Sequence, residues 1–360
     1  MAERGGSSGT LTLFCPSGLA NRLRVLVSGR ALAEASGRTF RMLWPRTPVC
    51  SAGFHELFAN DWPVTDVDHL DRNLRAHRVT SWLPGQPPVS VSDPRPDIVL
   101  GVSGWLIRID SPSALRARCA ELLAELSPLT ALQDQIEAFR WRHFRPTMIG
   151  LHLRRGDFLL KRPDVAGNTR EALEALDRFL EQGPDAGVFL CTDDGAKDPR
   201  TGAGAREGVR DLIRGRYGER VVATTPRSLD RRTPEAVQDA LVDLWLLRAT
   251  HRLVGTKGSS FSGLAVFGRD VPHVLVGGGT VAYRRIEVLA RLSGLDWLLR
   301  RRFRARRGYD ETFLYAWNSM VAQPMQRWRS ERRRARARRA KRWAARRQRW
   351  FGWLGRPGSG

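Results

Sequence analysis

Cysteine is scarce in this chain and widely scattered. Cys15, Cys50, Cys119 and Cys191 form no C-x-x-C pair. That spacing argues against a zinc framework or a dense disulfide scaffold, and it suits a reducing compartment. Long apolar runs are lacking too. No stretch approaches the ~18 residues of a membrane-spanning helix. The opening MAERGGSSGT has no basic-then-apolar leader pattern, so the body is expected in the cytoplasm. There is no internal repeat. The glycine-containing stretch GTKGSS (255–260) lacks Walker spacing, which excludes a P-loop kinase or NTPase.

What the chain has in excess is positive charge, and its location matters more than its size. The formal net charge is +23 over 360 residues. Residues 300–360 hold 20 Lys/Arg against 3 Asp/Glu, leaving the remainder nearly balanced at +6. A nucleic-acid-binding body would carry the charge on its fold. Here the charge belongs to a tail. The stretch 327–355, RWRSERRRARARRAKRWAARRQRWFGWLG, is helix-compatible, with Trp343, Trp350, Trp353 and Leu354 roughly on one side. Arginine with interfacial tryptophan suits an anionic membrane surface. The same composition also serves as a disordered solubilising tail or as a non-specific nucleic-acid contact.

With 42% hydrophobic residues the body can build a sizeable core. Strand-like apolar runs alternate with helical patterns, which points to α/β architecture with parallel sheets. TLTLFC (10–15), TFRMLW (39–44) and DIVLGVSG (97–104) read as strands, with a helix between the first two ending near Gly37 and helical patterns over roughly 113–143. Beyond Arg145-Pro146 come strands at 148–153, 187–192, 220–224, 251–255 and 273–276. Helices are expected at about 169–182, 205–216, 234–249 and 260–267. The division implied is an N-terminal α/β domain over 10–146, a C-terminal one over 147–299, and the tail over 300–360.

Four stretches carry chemistry. MIGLHLRRGDFL (148–159) opens as a strand buried on both faces and ends in His152, Arg154, Arg155 and Asp157. Ligands bind outside the carboxyl ends of strands in open α/β sheets. Guanidinium there offers a permanently charged fork of donors suited to phosphate oxygens. Because successive strand residues face opposite ways, strand geometry alone does not bring Arg154 and Arg155 into one pocket, unless the turn at Gly156 re-aims one of them. In SGLANRLRVLVSGRALAEASGRTFRMLW (17–44), Gly18 permits a tight turn and Asn21 lies near a helix N-terminus, where it would also serve as a cap. VFLCTDDG (188–195) is a strand ending in Asp193-Asp194. No histidine or third carboxylate stands at ligand spacing, so the pair is weak evidence for a metal site. ALVDLWLLRATHRLVGTKGSSFSGLAVF (240–267) places Asp243 on a helix, then a strand, then a Ser259-Ser260 loop entering another helix. A helix-surface carboxylate and an ordinary serine cap are the structural alternatives there.

Together, in this order, these stretches resemble the H-x-R-R-x-D and accompanying motifs of the GDP-fucose-dependent fucosyltransferase superfamily. That superfamily includes the bacterial nodulation-type α1,6-fucosyltransferases and the protein O-fucosyltransferases. The resemblance spans about three quarters of the chain. It implies two Rossmann-like domains facing a cleft, the GT-B type of glycosyltransferase, followed here by a basic helical or disordered tail. It also implies inverting, metal-independent transfer of L-fucose from GDP-fucose to a glycan or other hydroxyl acceptor, with no cofactor.

By the same resemblance, Arg154 binds the β-phosphate and Asn21 belongs with it to the catalytic set. His152 shapes the nucleotide pocket, while Arg155, Asp157 and Gly18 hold or line the donor loops. Asp243 accepts hydrogen bonds from guanine, and Ser259, Ser260 and Phe261 line the diphosphate. One departure stands out. Some relatives carry a Glu ten residues after the motif histidine, and here that position is Arg162. The nearest acids are Asp157 and Asp164, and Asp164 is the candidate base. Other readings that share these residues are a transferase for a different GDP-sugar, an inactive GDP-sugar binder, and a nucleic-acid- or membrane-binding protein on a transferase scaffold. The expected partners are thus a GDP-sugar, a hydroxyl acceptor and an anionic membrane surface, the last placing the protein at the inner face of the membrane.

Overall fold

The first strand, β1 (Thr10–Phe14), runs directly into α1 (Leu19–Ser36) through the Pro16-Ser17-Gly18 turn. In the computed structural model, residues 9–68, 91–92, 96–102, 104–107, 111–155, 169–194 and 208–277 are described. Helix α1 stops where Gly37 takes a left-handed φ of 66°, a conformation that costs glycine little. Then follow β2 (Thr39–Pro45), β3 (Val64–Val67) and β4 (Ile98–Gly101). The four strands form one all-parallel sheet in the order β3-β2-β1-β4.

Helices α2 (Ser113–Glu125) and α3 (Thr130–His143) lead to the second sheet. The helical patterns expected over roughly 113–143 are two helices, divided where Pro128 lacks an N–H and restricts Ser127. The freed backbone there bonds to the first half of the chain, Ala59 N–H to Ser127 O and Leu129 N–H to Leu57 O.

The second sheet contains β5 (Met148–Leu153), β6 (Gly187–Thr192), β7 (Val221–Val222), β8 (Arg252–Thr256) and β9 (His273–Val276). They are all parallel, in the order β7-β6-β5-β8-β9. The connecting helices are α4 (Thr169–Glu181), α5 (Val209–Tyr217), α6 (Pro234–Arg248) and α7 (Ser260–Val266). The expected α/β class with two Rossmann-like parallel sheets is what the chain adopts, one sheet on each side of residue 146. The short edge strand β3 is an element that the apolar runs did not announce, since its VTDV alternates with polar residues.

Every residue of β5 is buried, as its unbroken apolar run requires. Its alternate side chains feed two cores. Ile149, Leu151 and Leu153 pack with α4 and α5, whereas Met148 belongs to a core that continues through α6, α7 and the first sheet. The two sheets are joined by specific contacts. Phe58 and Trp245 meet at 5.8 Å between ring centroids, Trp105 and Phe267 at 4.2 Å, and Gln238 Nε2 donates to Glu56 O at 3.1 Å. All four cysteines are buried thiols, with no disulfide among the described residues.

Candidate active site

Strand β5 sits between β6 and β8, so the chain leaves it in one direction through α4 and returns on the other side only after β7. That is a topological switch point, the place where open parallel sheets bind ligands beyond their carboxyl ends. His152 is the penultimate residue of β5 and pairs in register with Cys191 of β6. Side chains of aligned parallel strands share a face, so His152, Cys191 and, two residues on, Arg154 start from the α6–α7 side.

His152 is buried, and its Nδ1 lies 2.6 Å from Ser262 Oγ. That hydroxyl also accepts the Thr256 N–H at 3.0 Å, which fixes it against β8. The Phe261 ring lies 5.0 Å from the imidazole at an interplanar angle of 32°. Burial pushes the His152 pKa down to about 4, with Asp193 opposing and Arg154 reinforcing the shift. At neutral pH the ring is therefore uncharged. Close approach of α7 depends on Gly255 in β8, where an added Cβ would stand 2.8 Å from both Cβ and Oγ of Ser262.

Arg154 and Arg155 diverge, as the strand parity predicts. The Arg154 guanidinium turns to Asp193, with Nη1 2.6 Å from Oδ2, and its side chain keeps 19% of its surface. Its backbone N–H donates to Thr256 Oγ1 at 2.9 Å, while the same hydroxyl donates to His152 O at 3.0 Å. Thr256 thereby ties the exits of β5 and β8 together. Arg155 goes to the other face, with Nε 3.0 Å from Asp194 Oδ1 and Nη1 donating to Thr169 Oγ1 at the start of α4. Asp194 Oδ2 in turn accepts the N–H groups of Gly208 and Val209 at 3.0 and 2.9 Å, which stabilises the start of α5. Arg155 and Asp194 thus fasten loops to the sheet.

The turn after β8 carries the expected serines. Gly258 adopts a φ of 74°, and Ser259 N–H donates to Thr256 O at 3.1 Å. Ser259 is buried, occupies the cap position of α7 and makes no capping bond with its side chain; Ser260 begins the helix. Asp243 is not a surface carboxylate. From α6 its Oδ1 accepts from Thr224 Oγ1 at 2.6 Å, and Oδ2 lies 3.6 Å from Cys191 Sγ. Burial pushes its pKa up to about 6 against the lowering effect of the Thr224 and Cys191 contacts. Because Cys191 is the register partner of His152, Asp243 stands on the same side of the sheet as the imidazole.

On the first sheet Gly18 takes the cap position of α1 with an extended backbone, and Asn21 is the third helical residue, not the cap. Among the described residues no hydrogen bond reaches the Asn21 side chain. Its neighbour Arg22 holds the turn. Completely buried, it donates from Nε to Ser17 O at 2.7 Å and from Nη2 to Thr47 Oγ1 at 2.9 Å, with its guanidinium 5.2 Å from the Trp44 ring centroid. Asp157 and Asp164 lie outside the described residues, as do the tail and its 327–355 stretch.

Thr256, Ser262, Thr224, Arg22 and Arg231 are site or supporting residues that reading the sequence missed. Arg231, in the loop before α6, places Nη2 3.3 Å from Asp193 Oδ2. Among the described residues no group of three or more His, Cys, Asp or Glu stands close enough to hold a metal ion. No described helix is long and apolar enough to cross a membrane.

No protein-family model matches the chain, and no curated protein matches it in sequence. Solved structures that it resembles include NodZ α-1,6-fucosyltransferase soaked with GDP-fucose, at 15% identity and a TM-score of 0.49, covering 72% of this chain and 93% of that one. The fucosyltransferase NodZ from Bradyrhizobium is similar at 14% identity and 0.47, covering 72% and 92%. POFUT1 in its apo form follows at 13% and 0.46, covering 77% and 100%.

Proposed function

We propose that the protein is a glycosyltransferase that moves L-fucose from GDP-fucose to a hydroxyl acceptor, with inversion and without a divalent cation. The observation that carries this reading is the placement of Arg154. It leaves the central strand of a parallel sheet at the switch point, on the same side as a neutral histidine and a half-buried carboxylate, with 19% of its side-chain surface still exposed.

In the reaction the acceptor oxygen attacks the anomeric carbon while the bond from that carbon to the diphosphate oxygen breaks. The electron pair leaves with GDP, and the acceptor proton passes to a base, for which Asp164 is the candidate. Negative charge grows on the diphosphate, which is where a fixed guanidinium is most effective. Arg154 is fastened through its own N–H to Thr256, so its cation is aimed before the donor arrives. The neutral imidazole of His152, anchored on Ser262, adds shape and a hydrogen-bonding edge without competing for the phosphate charge. Asp243, ionised above pH 6, offers acceptor oxygens for the N–H groups of a guanine edge. Asn21, near the start of α1, belongs to the acceptor side.

A charge aimed where charge develops contributes on the order of 3 kcal/mol, so Arg154→Ala should lower turnover ~100-fold or more at saturating donor. Turnover close to wild type would overturn the mechanism. The 327–355 tail is proposed to hold the enzyme at an anionic membrane surface, where a lipid-linked or envelope glycan would be within reach.

A further inference from the structure

The loop between β7 and α6 brings a second guanidinium to the carboxylate that holds Arg154. Asp193 Oδ2 lies 2.6 Å from Arg154 Nη1 and 3.3 Å from Arg231 Nη2. Its other oxygen accepts the Arg155 N–H at 2.6 Å. Two guanidiniums and a backbone N–H converging on one oxyanion are the donor set that phosphate oxygens engage. Sharing a single carboxylate oxygen also keeps the two arginine nitrogens within the span of one diphosphate. The Arg231 side chain retains 24% of its surface and Arg154 19%, so a ligand can reach both.

Arg231 is not held by its own loop alone. Its carbonyl accepts the Ser51 N–H at 3.2 Å, from the connection that follows β2 in the first sheet. Ser51 O in turn accepts from Arg46 Nη1 at 3.0 Å, and that guanidinium is paired with Glu56. A cation of the second sheet's site is therefore seated by the first sheet. The next residue provides a contrast. Arg232 pairs with its near neighbour Asp230 at 2.7 Å and is 61% exposed.

We propose that Arg231 is a second binding residue for the donor diphosphate, acting beside Arg154. This rests on reading the edge of β5 as a GDP-sugar site, and goes beyond it in assigning a cation from the α6 loop.

The test is calorimetric titration of the full chain with GDP, inorganic pyrophosphate and guanosine. Losing a charge-assisted bond should weaken GDP and pyrophosphate binding by about tenfold or more in Arg231→Ala, with guanosine affinity unchanged. Arg231→Lys keeps charge but loses the fork, so a smaller loss is expected; Arg232→Ala should bind like wild type. Arg231→Ala within twofold of wild type for pyrophosphate overturns the proposal. So does an equal loss of guanosine binding, which would mark a structural role. Should Arg231→Ala fail to fold, wild-type affinity in Arg231→Lys for both diphosphates overturns it instead. Wild-type binding of pyrophosphate without GDP would sink the guanine reading and leave Arg231 to be judged on pyrophosphate. Binding of neither overturns both.

Discussion

Asp243, half-buried, and His152, buried, are titratable groups whose shifts run in opposite senses, and each makes a separable prediction. Asp243 must be ionised to accept hydrogen bonds from a guanine edge, and burial has raised its pKa to about 6. GDP affinity should therefore hold above pH 7 and fall as pH drops through 6, a dependence that Asp243→Asn should abolish along with most of the affinity. The same variant removes a buried charge, so its melting temperature at pH 7 should equal or exceed that of wild type. A GDP affinity flat from pH 8 to 5 would separate Asp243 from the nucleotide. For His152 the folded pKa lies below the unfolded one. The neutral ring's contribution is complete above about pH 6.5 and is lost as pH falls toward 4. On the order of 3 kcal/mol of stability should disappear across that window through this group. Denaturant melts at pH 7 and pH 4.5, on wild type and His152→Gln, would read the difference.

At the scale of elements, the exits of β5 and β8 and the start of α7 form one unit. Gly255 is the residue that lets α7 deliver Ser262 to His152. Gly255→Ala forces a Cβ into Ser262, and overpacking of this kind costs about 1–3 kcal/mol. It should lower turnover as well as stability, and so should Ser262→Ala, which leaves the buried Thr256 N–H and His152 Nδ1 without their hydroxyl partner at a cost of about 1–3 kcal/mol. Unchanged stability and turnover in Ser262→Ala would contradict the unit.

Most of these elements could be read from the chain. The strands 148–153, 187–192 and 273–276 appear as mainly apolar runs, and their bounds match the observed ones. The edge strand β3 could not, being short and alternating. Nor could the pairing of the Pro128 loop with residues 57–59, far away in sequence. The same distinction holds in the site. Arg154 and His152 sit inside a local motif. Ser262 meets His152 across 110 positions and reads locally as one more serine at a helix start. Arg231 was hidden among the arginines of TPRSLDRRT, because only the fold shows which of them turns toward Asp193.

For the whole molecule, the nearly balanced body and the basic tail make different demands on solution conditions. The tail should bring the protein down with anionic liposomes at low salt, with binding that weakens as salt rises. Removing residues 327–355 should abolish this co-sedimentation and leave turnover on a soluble acceptor unchanged. The body rests on two parallel sheets joined by packed aromatic pairs and by the Ser51–Arg231 bond. The proposed site for a guanine diphosphate sugar lies at the carboxyl edge of the second sheet. The direct measurement is a panel of nucleotide sugars incubated with the full chain in EDTA, scored for nucleotide release and for thermal stabilisation by the free nucleotide. GDP release from GDP-fucose, with stabilisation by GDP and none by UDP, is the result predicted. Stabilisation by UDP alone would contradict it.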